Sequence, residues 1–188
     1  MRILFVNTNR YKFLAPAPIG AMIVADRLKR DGHTVRFLDL MHSKSPMNDI
    51  ESAVIETNPE LLCFTIRNRD TQEMENYIDP LPDVVDIVSK AQSVCDAPSL
   101  IGGTAVSTFP SQMRKAMNST YAFVGDDTEL VSRFVASISS GRPDLTIPGL
   151  VYDLNDAEKI NRVKFNGYRG FTPSRRPSMI WGSSQHKR

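Results

Sequence analysis

Cysteine is nearly missing from this 188-residue chain, which carries only Cys63 and Cys95. Iron–sulfur clusters need several thiolates close together, and two cysteines in separate stretches cannot supply them; they read as buried or idle thiols. No apolar run approaches the roughly 20 residues needed to span a bilayer. After Met1-Arg2, Ile3-Leu4-Phe5-Val6 passes at once into Asn7-Thr8-Asn9-Arg10, unlike a secretory signal. A cytoplasmic protein without a membrane partner is expected. Acidic residues are absent beyond Glu158: positions 1–158 hold 15 basic and 21 acidic residues, a net −6, whereas positions 159–188 hold eight basic ones and no acid. This asymmetry marks a boundary, between a domain at 1–155 and a basic linker or tail at 156–188. The tail lacks the dense run of charge that would argue for a nucleic-acid partner.

The common nucleotide fingerprints are also lacking. The loop from Asn7 to Gly20 contains no Gly-x-Gly-x-x-Gly, and the chain has no P-loop. A phosphoryl-receiver domain would need an aspartate ending the third strand, where Thr65, Ile66 and Arg67 stand; Asp126-Asp127 follows the wrong strand.

What is present alternates. Ala21, Val24, Ala25 and Leu28 share one helical face, between apolar strands at Arg2–Asn7 and Thr34–Leu40. Helix Asn48–Thr57 stops at Asn58-Pro59, and strand Leu61–Ile66 follows. A helix beginning at Thr71, capped by Asp70 or Thr71, is broken by Pro80 and Pro82 and resumes at Asp83–Val94. Strand Pro98–Ile101, helix Ser111–Met117, strand Tyr121–Val124 and helix Thr128–Ser139 complete the pattern, and Ile147–Tyr152 reads as an edge hairpin or a connector. The fold class is α/β: a doubly wound, mostly parallel, five-stranded, Rossmann-like sheet with right-handed crossovers and a basic C-terminal extension.

Such sheets bind ligands beyond the carboxyl ends of their strands. The stretches there are Asn7 to Pro18, Asp39 to His42, Thr65 to Asp70, Gly102 to Ser107 and Gly125 to Thr128, and the binding candidates among them are Asn7 and Thr8; Thr65, Arg67 and Asn68; Gly102, Gly103 and Thr104; and Gly125 and Asp126. Two adjacent glycines let a flat ligand approach the backbone closely, or simply make a tight turn.

Pro18-Ile19-Gly20, the run Asp31-Gly32-His33-Thr34-Val35-Arg36-Phe37-Leu38-Asp39, Phe64-Thr65-Ile66-Arg67-Asn68, Ile101-Gly102-Gly103-Thr104, Val124-Gly125-Asp126 and Ile147-Pro148-Gly149-Leu150-Val151-Tyr152 follow one another in a telling order. Over roughly residues 1–155 that order and spacing resembles the N-terminal cobalamin-binding domain of the B12-dependent radical SAM enzymes. The resemblance implies cobalamin, a corrinoid, as cofactor. In the similar cobalamin module of methionine synthase, the benzimidazole tail enters the carboxyl edge of the sheet. Carried over, Thr65 stands at that module's serine and Gly102-Gly103 at its double glycine, and these residues would line the tail. That module's lower-face histidine has no counterpart in the first loop here, which implies cobalt without a protein imidazole beneath it (His-off). His42 is the substitute cobalt ligand to weigh, although its Ser- and Lys-rich loop is also where solvated histidines sit. His33 is expected to cap the first helix, and His186 lies in the tail.

The chain departs from that family in lacking the Cys-x-x-x-Cys-x-x-Cys of a radical SAM barrel. Tyr168–Gly182 resembles the connector into such a barrel. No catalytic residue is therefore assigned. The expected role is to hold a corrinoid for methyl-transfer or radical chemistry done with a partner radical SAM domain, the chain being either a truncated or split piece of such an enzyme, its barrel on a separate chain, or a stand-alone cobalamin carrier. The alternatives are a degenerate interaction module of the same fold, for which Asp126-Asp127, Arg67 and Arg69 speak, and a glycosyltransferase half-domain.

Overall fold

The computed structural model describes residues 1–11, 16–68, 79–155 and 157–162. The elements are β1 (Arg2–Asn7), α1 (Ile19–Arg30), β2 (Thr34–Asp39), α2 (Pro46–Thr57), β3 (Leu61–Thr65), α3 (Leu81–Val94), β4 (Ser99–Gly102), α4 (Thr104–Thr108), α5 (Pro110–Ala116), β5 (Tyr121–Phe123), α6 (Thr128–Ser139), β6 (Leu150–Leu154) and β7 (Ala157–Ile160). The helix expected from Thr71, with its Asp70 or Thr71 cap, and the segment 163–188 lie outside the described residues.

The sheet order is β2-β1-β3-β4-β5-β6-β7. The five strands β1 to β5 pair in parallel. They form the doubly wound sheet expected from the sequence, in the order 2-1-3-4-5 that places a topological switch between β1 and β3. Two antiparallel strands extend it: Ile147–Tyr152 opens a hairpin, so that the sheet has seven strands and runs past residue 155 to Ile160.

Strand residues alternate between two cores because successive side chains point to opposite faces. Leu4, Val6, Leu62, Phe64, Ile101, Ala122 and Val151 pack with Ile50 and Val54 of α2 and Ile87 and Val88 of α3. Ile3, Phe5, Leu61, Cys63, Leu100, Phe123 and Leu150 pack with Ala25 and Leu28 of α1 and Phe134 and Val135 of α6. With both faces covered, β1 and β3 read as unbroken apolar runs.

Prolines set three helix starts. Pro46 opens α2, Pro110 opens α5, and Pro82 lies in the first turn of α3, where no hydrogen bond is lost by lacking an N–H. These placements explain why α2 and α3 begin two residues ahead of the starts at Asn48 and Asp83 expected from sequence. Asn58 ends α2 in the left-handed region at φ 43°, donating its N–H to the Val54 carbonyl at 2.8 Å.

Candidate functional site

The carboxyl ends of β1, β3, β4 and β5 form one edge, organised by hydrogen bonds between strand ends. Asn7 is 2% exposed; its Nδ2 donates to Asp39 Oδ1 at 2.8 Å, and its Oδ1 accepts from the Asn9 N–H at 3.3 Å. Thr8, 1% exposed, donates its hydroxyl to the Thr65 carbonyl at 2.9 Å. Both side chains are thus engaged in tying β1 to β2 and β3, and they form a fixed floor.

The two central glycines differ physically. A Cβ on Gly103, at φ 107°, would lie 2.5 Å from the Ile66 carbonyl oxygen and 3.0 Å from two further Ile66 backbone atoms. That position requires glycine to build the sheet edge itself. Among the described residues, a Cβ on Gly102 would meet only the Phe123 carbonyl oxygen, at an ordinary contact distance of 3.9 Å. No steric clash requires glycine there among those residues. A Cβ on Gly125, also at φ 107°, would have nothing within 4 Å, and the Gly125 N–H donates to Ser107 Oγ at 3.0 Å.

Thr65, Gly102 and Gly103 are half-buried, while Thr104, Gly125 and Asp126 are exposed. Together they make a small-residue, largely uncharged rim. Beside it, at the switch between β1 and β3, lies a cleft of ≈ 290 Å³ that includes Thr8, Arg10, Ile66, Arg67, Asn68 and Asp83 among its lining. The structure thus brings Thr8, Arg67 and Asn68 into one cleft. It adds Arg10, whose Nη1 donates to Asp83 Oδ1 at 2.7 Å. Sequence reading misses that pair because 73 positions separate its members and no motif joins them. Ser107, at the far end of the strand-end stretch that begins at Gly102, belongs to α4, too short for a helical period to show.

The histidines are separated. His33 lies before β2, at the amino end of the sheet, where its Nδ1 sits 3.4 Å from the Met1 amine. Its backbone N–H, rather than its ring, caps α1 through the Leu28 carbonyl at 3.1 Å. Burial first, and the neighbouring amine second, push its pKa down. His42 is exposed in the loop after β2. Burial pushes the Cys63 thiol up to about 12, which keeps it protonated and inert. Among the described residues, no group of three or more His, Cys, Asp or Glu is placed to hold a metal ion.

Residues 14–135 match the model of the B12 binding domain family. The chain is 28% identical over 96 residues to the hopanoid C-3 methylase of Methylococcus capsulatus, a match covering 50% of this chain and 16% of that protein. Among solved structures it superposes with TM-score 0.77 and 25% identity on TsrM from Kitasatospora setae, a radical S-adenosylmethionine methyltransferase with cobalamin and a [4Fe-4S] cluster bound, over 85% of this chain and 28% of that one. OxsB, a cobalamin-dependent S-adenosylmethionine radical enzyme with aqua-cobalamin and S-adenosylmethionine bound, shares the fold with TM-score 0.65 and 15% identity, over 86% of this chain and 22% of that one. The chain therefore spans less than a third of each of these relatives. By the family match, carried on an α/β sheet with its small-residue edge at the switch point, this chain belongs to the B12 binding domain family.

Proposed function

We propose that the chain holds cobalamin at the carboxyl edge of its sheet and presents it to a radical SAM domain that performs the chemistry. The observation that carries this reading is the uncrowded backbone at Gly102, where a Cβ would meet only the Phe123 carbonyl oxygen among the described residues, on a sheet of the B12 binding family. A flat aromatic tail requires close backbone approach and a small, neutral lining, and Thr65, Gly102, Gly103 and Thr104 offer both. Asn7 and Thr8 would keep the floor rigid through their bonds to Asp39 and Thr65. Asn68, Gly125 and Asp126 would flank the corrin, and Arg67 would stand at the cleft. When bound, cobalamin supplies a cobalt centre that carries an alkyl group; the chain's share is to hold, orient and shield it.

β7 runs antiparallel to β6, and Asn161 pairs with Leu150 and Gly149 at 2.9 Å beside Val124, at the same end of the sheet as the site. Relatives named as radical S-adenosylmethionine enzymes are far longer than this match. A radical SAM domain, on a separate chain or further along a longer one, would supply the cluster cysteines that these 188 residues lack.

Purified protein mixed with hydroxocobalamin and desalted should retain the chromophore with a shifted visible spectrum; loss of the colour on the column would refute cobalamin binding. The cob(II)alamin-loaded protein should give an EPR spectrum without nitrogen superhyperfine splitting. Splitting that disappears in His42→Ala would instead assign that histidine to cobalt.

A further inference from the structure

We infer that Arg10 recognises the phosphodiester in the nucleotide tail of cobalamin, and so distinguishes complete cobalamin from corrinoids that lack the tail; this rests on the cobalamin reading above. Arg10 follows β1 and forms part of the wall of the cleft at the β1/β3 switch. Its side chain is 32% exposed, and Nη1 is held at 2.7 Å by Asp83 in the first turn of α3. Its Nε is shielded from solvent and has no hydrogen-bond partner among the described residues. A guanidinium carries five N–H donors in a planar fork, so the contact with Asp83 leaves donor capacity for a second acceptor.

The ion pair itself explains little about stability. Asp83 is 41% exposed, and partly exposed pairs of this kind contribute little to folding. Its effect is to hold the guanidinium against the cleft. The periphery of the corrin carries neutral amides, whereas the link between corrin and base is a phosphodiester, anionic throughout the neutral range. A planar cation at this position matches that one anion, beside the neutral Thr65 and Gly102 rim suited to the base. Arg67, the other cation of the cleft, is exposed at the end of β3 and lacks a carboxylate contact comparable to that of Arg10 among the described hydrogen bonds.

The test is titration of the full chain, followed by its visible spectrum, with hydroxocobalamin and with aquocobinamide, which lacks phosphate, ribose and base. Wild type should prefer hydroxocobalamin. Arg10→Gln should weaken hydroxocobalamin about tenfold or more, as loss of a charge-assisted hydrogen bond implies, and leave cobinamide unchanged. Arg10→Lys, which keeps the charge, should retain the preference. Both variants should melt within roughly 2 °C of wild type, because the pair is partly exposed. Equal losses on the two corrinoids, or no loss on hydroxocobalamin, would overturn the role of Arg10 while leaving cobalamin binding intact. A wild type that retains neither corrinoid would overturn the cobalamin reading and this inference with it.

Discussion

Replacing each member of the double glycine by alanine should separate folding from binding. At Gly103 the backbone has φ 107° and ψ 179°, a region essentially confined to glycine, and forcing another residue into it costs about 1–3 kcal/mol. The added Cβ would also press on Ile66, with its nearest atom at 2.5 Å. Ile66 cannot yield cheaply: its N–H donates to the Gly102 carbonyl at 2.8 Å and its carbonyl accepts from Ala105 at 3.2 Å. Losing one such bond adds about 1 kcal/mol. Gly103→Ala should therefore destabilise the apoprotein by about 3 kcal/mol, a fall in Tm of roughly 6–12 °C for a domain of this size. Gly102→Ala meets nothing closer than 3.9 Å, and restricting the unfolded chain should leave stability unchanged or raise it by about 0.4–1 kcal/mol. Its methyl occupies the proposed approach of the cofactor, so hydroxocobalamin affinity should fall roughly tenfold, in keeping with the cost of overpacking a fitted site. Differential scanning calorimetry on cofactor-free protein and spectral titration give the two readings. A Gly103→Ala protein melting within about 2 °C of wild type would refute the strain argument, and unchanged affinity in Gly102→Ala would place the cofactor elsewhere.

Two further expectations concern the ends of the sheet. Arg114, 6% exposed, donates to Asp153 at 2.6 Å, to Glu158 at 3.2 Å and to the Ser119 carbonyl at 3.2 Å, fastening the β6–β7 hairpin to α5. Arg114→Met should cost about 1–3 kcal/mol by leaving the Ser119 carbonyl without its Arg114 donor and Glu158 with only Lys115, at 3.8 Å, among the described residues, with hydrogen exchange accelerating first in 150–160; uniform acceleration across the sheet would contradict the local role. His33 has a pKa below its ordinary 6.5, through burial first and the Met1 amine second. Its unfolded form binds a proton more readily than its folded form, so this contribution to stability is complete above that ordinary value and is lost as pH falls from there toward the folded value. Urea midpoints measured across that window should show a slope that His33→Gln diminishes, and an unaltered slope would show that other groups cause it.

Legibility follows the range of the interactions. β1 and β3 are buried on both faces, and their apolar runs announce them; α6 is legible to the residue because Asp127 caps it by accepting from the Glu129 and Leu130 N–H groups. The hairpin stays ambiguous as sequence, since β7 carries Glu158 and Lys159 and its Ile160 is 50% exposed. Its place in the sheet comes from pairing with β6, a partner that alternation alone does not name. The cleft is half legible for the same reason. Thr8, Arg67 and Asn68 can be placed by the strand-end rule, whereas Asp83 reaches the same cleft only because α3 begins at that edge.

Gly102-Gly103 shows how one motif can carry two separate physical tasks. As letters the two residues form one small-residue signature, equally consistent with a turn and with a ligand. In the fold their tasks separate: Gly103 yields to the carbonyl of Ile66, and Gly102 ends β4 where a Cβ would make only ordinary contact with the Phe123 carbonyl oxygen among the described residues. A turn alone would account for glycine at 103 and leave position 102 free to carry a side chain. Nothing in the described residues crowds Gly102, so they set no steric demand for glycine there, whereas the proposed cofactor would set one. That reasoning makes the binding response of Gly102→Ala, measured against unchanged stability, the more informative half of the pair.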